Sequence, residues 1–271
     1  MNKLVFGKYL PLDTPIHKLD PRAKIIAMLM MLVAIFIPAG WFGYLAIAIV
    51  LLLVFKLAKL NLKFLFNALK PMMFMMAFLL VVNILSIKDG PILIDLGFIA
   101  IYSKAITQTL YIVVRLALMI MVTTILTVTT KPLDLTLGIE YLLSPLKKIH
   151  VPAHEIAMMI SIALRFIPTI IEETMRIMNS QKSRGVDFEE GSLKEKVSAI
   201  VSLIVPLFSV AFQRADELAN AMEARGYVPS AKRTRYKQLK YELRDYVLVF
   251  GAIAILVMMI TMAVALWDIS L

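Results

Sequence analysis

No cysteine occurs in the 271 residues, which excludes disulfides, thiolate nucleophiles and cysteine-ligated metals and leaves the compartment to be argued from topology. No GxxxxGK[ST] loop occurs either, so the chain cannot cradle ATP in the P-loop manner and any ATP-driven work falls to partners. Histidine is scarce. His150 and His154 stand beside Glu155, but Pro152 lies between them and breaks the single helical face that a metal pair needs. No Ser/His/Asp constellation stands out, so the reading is of a non-enzyme with no catalytic residue, no metal site and no cofactor. The formal charge of +10 comes without zinc spacing, a basic zipper or an aromatic RNA-binding pattern. Positive cytoplasmic loops account for it directly, and nucleic acid is not an expected partner. A cleavable signal peptide is also missing, because the first apolar run starts only after Lys24, behind Asp20 and Arg22. The first span is expected to serve as its own insertion signal.

What the chain has in excess is apolar surface: 60% apolar residues, 18 methionines and a mean hydropathy of +0.82. A soluble domain of this size does not tolerate that, so the expectation is an all-α integral membrane protein in a lipid bilayer. Asp20 suits a helix N-cap and Pro21 the first helical position. From Ile25 to Phe55 no side chain is charged, and Pro38-Ala39-Gly40 divides the run into two spans. A third span follows from Pro71 to Ile87 with Asn83 as its strongly polar residue, a fourth from Ala105 to Val128 and a fifth from Tyr246 to Trp267. Residues 88–104, with Asp89-Gly90-Pro91 as a turn, read as a small external hairpin or a re-entrant piece. Arg115 is the one charge deep in a span. An intramembrane arginine is a functional candidate because it needs a partner, and a structural hydrogen bond to Asn83 or to nearby Thr and Gln side chains is an equal alternative.

Between the fourth and fifth spans the pattern changes. Leu133 to Lys147 reads as one short amphipathic helix, and Ala153 to Arg184 and Lys194 to Arg225 as two long ones, each with an internal proline, Pro168 and Pro206. The uncharged stretch from Val197 to Phe212 falls just under the usual spanning length of about 17 to 25 residues. Were it to cross, the basic run Lys232-Arg233-Thr234-Arg235 would lie outside, against the positive-inside rule. The expected organisation is therefore residues 1–130 with four transmembrane helices, a cytoplasmic region of coupling helices at 131–245, and a fifth transmembrane helix at 246–271. That places the N-terminus in the cytoplasm and the C-terminus outside. Both long helices end on Arg-Gly, in Ser183-Arg184-Gly185 and Ala224-Arg225-Gly226. Glycine just past a helix end is a C-cap, and a cation in the last turn complements the dipole by a few tenths to about 1 kcal/mol. One such end is a capped helix and nothing more, but two look like a pair of similar contacts.

The sequence resembles the transmembrane T component of energy-coupling factor transporters, ABC-type importers of vitamins and metal ions, over nearly its whole length. The resemblance rests on Leu19-Asp20-Pro21-Arg22, Ser144-Pro145-Leu146-Lys147, Leu164-Arg165-Phe166-Ile167-Pro168 and the two Arg-Gly ends. The family's motif at these ends is Ala-Arg-Gly, matched in full at Ala224-Arg225-Gly226 and with Ser for Ala at Ser183. The resemblance implies that Arg184 and Arg225 insert into two cytoplasmic ABC ATPase subunits. It also implies that the long helices carry a membrane-embedded substrate-binding S component, for uptake of vitamins or similar micronutrients. Ile200, Ile204 and Phe208 recur at helical spacing and are the expected S-component contact. The rival from another class is a self-contained carrier or channel with Arg115 lining its pathway and a cytoplasmic helical gate.

Overall fold

The computed structural model describes residues 9–95, 100–145, 153–188, 190–228 and 239–270. The chain divides into two compact units, one made of Met1–Ala153 with Leu239–Leu271, the other of His154–Gln238. The first unit holds α1 (Pro21–Phe36), α2 (Gly40–Leu57), α3 (Leu62–Leu69), a 3-10 turn at Lys70–Met72, α4 (Met73–Ser86), α5 (Ser103–Thr129), α6 (Pro132–Leu143) and α9 (Leu243–Ser270). The second holds α7 (Ala153–Ser183) and α8 (Leu193–Ala224). Two short strands, β1 (Ile92–Asp95) and β2 (Ala100–Tyr102), pair antiparallel between α4 and α5, giving the hairpin form of the two readings of that loop.

The start of α1 follows its sequence. The Asp20 carboxylate accepts the Arg22 backbone N–H at 2.8 Å, and Pro21 occupies the first position, where its missing N–H costs nothing. The helix stops before Pro38, and the chain re-enters as α2 at Gly40, whose φ of +69° reverses the path. Packing against α9, α5 and α6 buries much of α1, including Ala34 and Ile35. Tyr44, Ile47 and Leu51 of α2, Leu118 and Val122 of α5, and Met259 of α9 complete this core. By contrast, α4 buries nothing and exposes Phe74 and Phe78, the surface expected of a helix facing lipid.

Among the described residues, five helical segments are long and apolar enough to cross a membrane, and with them the protein is an all-α integral membrane protein. Four match the expected spans: α2, the continuous run through α3 and α4, α5 and α9. The fifth by length is α8 rather than α1. With 16 residues, α1 is only about 24 Å long, under the roughly 30 Å of a hydrocarbon core. Half of its residues are buried, and Leu29, Val33 and Phe36 form an exposed apolar stripe along the rest. The amphipathic helix predicted over 133–147 is α6, which packs on α1 in the first unit.

Arg115 has a partner that the sequence did not indicate. Its Nε donates to the Tyr44 hydroxyl at 2.8 Å, and that hydroxyl donates to the Ile35 carbonyl at 3.0 Å. The guanidinium also lies 5.4 Å from the Tyr111 ring centroid, within reach of a cation–π contact. Asn83 instead donates to Thr109 at 2.9 Å. Thr109 and Arg115 are six positions apart, so they stand about 120° apart around α5 and meet different neighbours, Thr109 meeting α4 and Arg115 meeting α2.

Candidate functional site: the two helix ends of the second unit

Both long helices close in the same way. At the end of α7, the Gly185 N–H donates to the Lys182 carbonyl at 3.0 Å and the Val186 N–H to Gln181 at 3.1 Å. At the end of α8, the Gly226 N–H donates to Glu223 at 2.8 Å and the Tyr227 N–H to Met222 at 2.9 Å. This pair of bonds is a Schellman motif, which needs a left-handed residue just past the cap. Gly185 at φ +85° and Gly226 at φ +74° supply it. Arg184 and Arg225 thus occupy the cap position itself, with Ser183 and Ala224 as the last helical residues. All six motif residues are exposed, and neither guanidinium makes a side-chain hydrogen bond or ion pair among the described residues.

An added Cβ at Gly185 or Gly226 would meet nothing within 4 Å, so glycine is needed there for backbone conformation and not for space. Gly185→Ala and Gly226→Ala should each cost about 1 to 2 kcal/mol at the helix end alone, the left-handed penalty of a side chain. Hydrogen–deuterium exchange at Val186 or Tyr227 should rise by about tenfold or more, while exchange in the helix middles stays unchanged. Asparagine should keep much of the protection.

The α8 helix starts from a reciprocal cap: Ser192 Oγ accepts the Glu195 N–H at 3.4 Å, and Glu195 Oε2 accepts the Ser192 N–H at 2.7 Å. From there the two helices run antiparallel. Gln181 donates to the Ser202 carbonyl at 3.2 Å, and Arg214 lies 3.8 Å from Glu173. Ile162, Phe166 and Ile170 of α7 and Ala211, Ala215 and Ala219 of α8 line one open cavity. The antiparallel course puts Arg184 and Arg225 at opposite ends of the pair, about 48 Å apart along the 32 residues of α8.

Ile200, Ile204 and Phe208 are 50%, 40% and 61% exposed. Ile204 is about 200° around the helix from Ser202, whose carbonyl meets α7, and within about 20° of the position of Ala211 two turns on, which lines the cavity shared with α7. Val197, Val201 and Phe212 extend the exposed stripe, and the Phe208 and Phe212 rings stack at 6.4 Å. Of the metal pair considered above, His150 lies outside the described residues.

Sequence reasoning missed a second cluster, in the first unit. Asp245 at the start of α9 is 2% exposed and accepts two backbone N–H groups, from Asp20 at 2.7 Å and from Glu242 at 2.8 Å. Arg22 forks onto Asp20 with Nε at 3.1 Å and Nη2 at 2.9 Å. Its guanidinium lies 4.3 Å from the Tyr241 ring centroid and 5.0 Å from that of Tyr141 on α6. Lys24 donates to the Thr129 carbonyl at 3.0 Å, tying in the end of α5. The available signal was a carboxylate at the head of an otherwise apolar span, where burial requires a partner.

These features define a class: a multi-pass helical membrane protein that carries a charged helical hairpin whose two helices end alike. Residues 13–236 match a family model described as cobalt transport protein, CbiQ. The chain is 44% identical over 245 residues to the energy-coupling factor transporter transmembrane protein EcfT of Macrococcus caseolyticus, covering 90% of this chain and 92% of that one. It is 42% identical over 260 residues to the EcfT of Lactococcus lactis, with 96% and 98% covered. Against the EcfT of Bacillus subtilis the identity is 43% over 245 residues, with 90% and 92% covered. The chain belongs to this family and is a membrane component of an energy-coupling factor transporter.

Proposed function

We propose that the chain is the coupling subunit of an importer, passing the motion of two cytoplasmic ATPases to a membrane-embedded S component that binds a vitamin or similar micronutrient. The observation that carries this reading is the pair of matched Schellman ends, each presenting an unpaired, exposed guanidinium at one end of an antiparallel helix pair. A planar guanidinium fixed at a helix end suits a bidentate carboxylate on a partner. The exposed stripe through Ile200, Ile204 and Phe208 suits an apolar partner subunit. Arg115 is engaged by Tyr44 and Tyr111, which supports a structural role for it over a transport pathway. The chain itself binds no substrate and hydrolyses no ATP. The test is affinity purification in mild detergent. Two ATPases and a small apolar membrane protein should accompany the chain, and a chain that purifies alone and transports alone would overturn the reading.

In the proposed orientation the N-terminus is cytoplasmic, α1, α2, α3 with α4, α5 and α9 cross the bilayer, and the C-terminus is external. The α7 and α8 helices lie at the cytoplasmic surface, so α8 does not use its spanning length. A crossing α8 would send Arg184 and Arg225 to opposite sides, out of reach of a common ATPase pair, and would export the basic run at 232–235. The cysteine-free sequence makes a direct check available. Single cysteines at Asp89 and Ser270 should react with an impermeant thiol reagent on intact cells, and one at Ser230 should not. The reverse pattern would reject this topology.

A further inference from the structure

The first unit contains a space that its own side chains do not fill. Helices α1, α2, α5 and α9 border a cavity of about 210 Å³, lined by Met28, Val54, Ile125, Leu248 and Ile255 among others, with Lys24 and Thr129 as its polar residues. It opens beside α9, where Val247 is 68% exposed and Gly251 has no side chain to close the wall. Packed interiors leave few voids larger than a water, and an apolar one stays dry, so the fitting occupant is apolar. A helix, about 10 Å across with its side chains, is too broad for this volume. One hydrocarbon chain is not.

Arg244 heads the stripe of α9 that borders this cavity. Leu248, Gly251 and Ile255 all lie within about 40° of it around the helix, and they stand about 6 to 16 Å further along the axis. That range is the depth of one leaflet of a hydrocarbon core about 30 Å thick. Arg244 is exposed and makes no hydrogen bond or ion pair among the described residues. In the first turn of α9 a cation opposes the helix dipole, so it does nothing for its own helix. The neighbouring Asp245 is turned onto two backbone N–H groups instead. Lys24 brings a second positive charge to the cavity, and its ammonium donates only to neutral oxygens, the His17 and Thr129 carbonyls and the Thr130 hydroxyl, at 3.2, 3.0 and 3.3 Å. We infer that the cavity is a binding site for one acyl chain of an anionic phospholipid, with the headgroup phosphate paired to Arg244. Within a membrane the chain gains packing rather than release from water, so the charge at the mouth supplies the selectivity. The site does not depend on the coupling role proposed above.

The test is native mass spectrometry of the full chain, purified in mild detergent with whatever subunits accompany it and titrated with phosphatidylglycerol or phosphatidylcholine. Wild type should bind its first phosphatidylglycerol about fivefold more tightly than phosphatidylcholine, the contribution of one arginine near an anionic lipid. Arg244→Gln should bring the two lipids to near equality. Gly251→Leu should weaken both by roughly fivefold or more, because the new side chain takes the space of the acyl chain. An added Cβ at Gly251 meets nothing within 4 Å, so the substitution fills the cavity mouth without displacing a neighbour. Equal affinities in wild type would overturn the site, as would unchanged lipid binding in Gly251→Leu. Loss of a protein subunit from Gly251→Leu with lipid binding intact would give the cavity to a partner chain and overturn it also. Arg244→Gln leaves no buried group unpaired, so it decides the matter even where Gly251→Leu fails to insert: a fivefold preference kept in that variant would overturn the proposal by itself.

Discussion

Replacing both Arg184 and Arg225 with alanine is expected to abolish uptake and strip the ATPases from the purified membrane protein, while leaving that protein folded. Neither guanidinium has an intramolecular partner among the described residues, so its removal leaves nothing unpaired in the isolated chain. A helix-end cation is worth at most about 1 kcal/mol. Truncating an arginine buried against a partner carboxylate costs about 2 to 5 kcal/mol, because the carboxylate is then left unpaired. Each single change should therefore weaken one ATPase contact by about 30-fold or more, and the double change should be worse than either. Lysine should rescue poorly, since a point charge does not reproduce the planar fork. The measurement is co-purification of the ATPases together with uptake. Normal assembly and transport in the double variant would reduce both arginines to ordinary caps.

Ile204→Glu should release the small S component while the ATPases stay bound. In the isolated chain this residue is already 40% exposed, so a carboxylate there is solvated at little cost. In the complex the same carboxylate would be buried against an apolar partner with no counter-charge, a penalty of several kcal/mol that should weaken the contact by roughly 100-fold. Quantitative mass spectrometry of the purified complex reads the ratio of small subunit to ATPase. An unchanged ratio would put the seat elsewhere, and failure of the protein to insert would make the stripe part of its own core.

What the sequence showed well was set by neighbours in the chain. The Asp20-Pro21 start of α1, the break at Pro38-Ala39-Gly40 and the glycine ends of α7 and α8 all follow from residues within one helical turn. Long-range choices were not legible. Nothing near Arg115 in sequence indicates that Tyr44, on another helix, will meet it, and Asn83 was an equally good acceptor by type. Asp245 reads locally as an acidic residue at a helix start, and only its approach to Asp20 shows why it is buried. The same limit applies to α6, whose amphipathic pattern predicts a helix but not that α1 would be its packing partner.

The antiparallel course of α7 and α8 also has a symmetry consequence. A two-fold axis perpendicular to such a pair exchanges the two helices, and here it exchanges two ends with the same glycine conformation, the same two closing bonds and the same arginine. Arg184 and Arg225 are thus pseudo-equivalent points on a single chain, generated without a second copy. Under the coupling role proposed above, two like partners docked on them would be related by that same axis. Two like subunits then fit one asymmetric membrane protein with neither having to bind a different kind of surface.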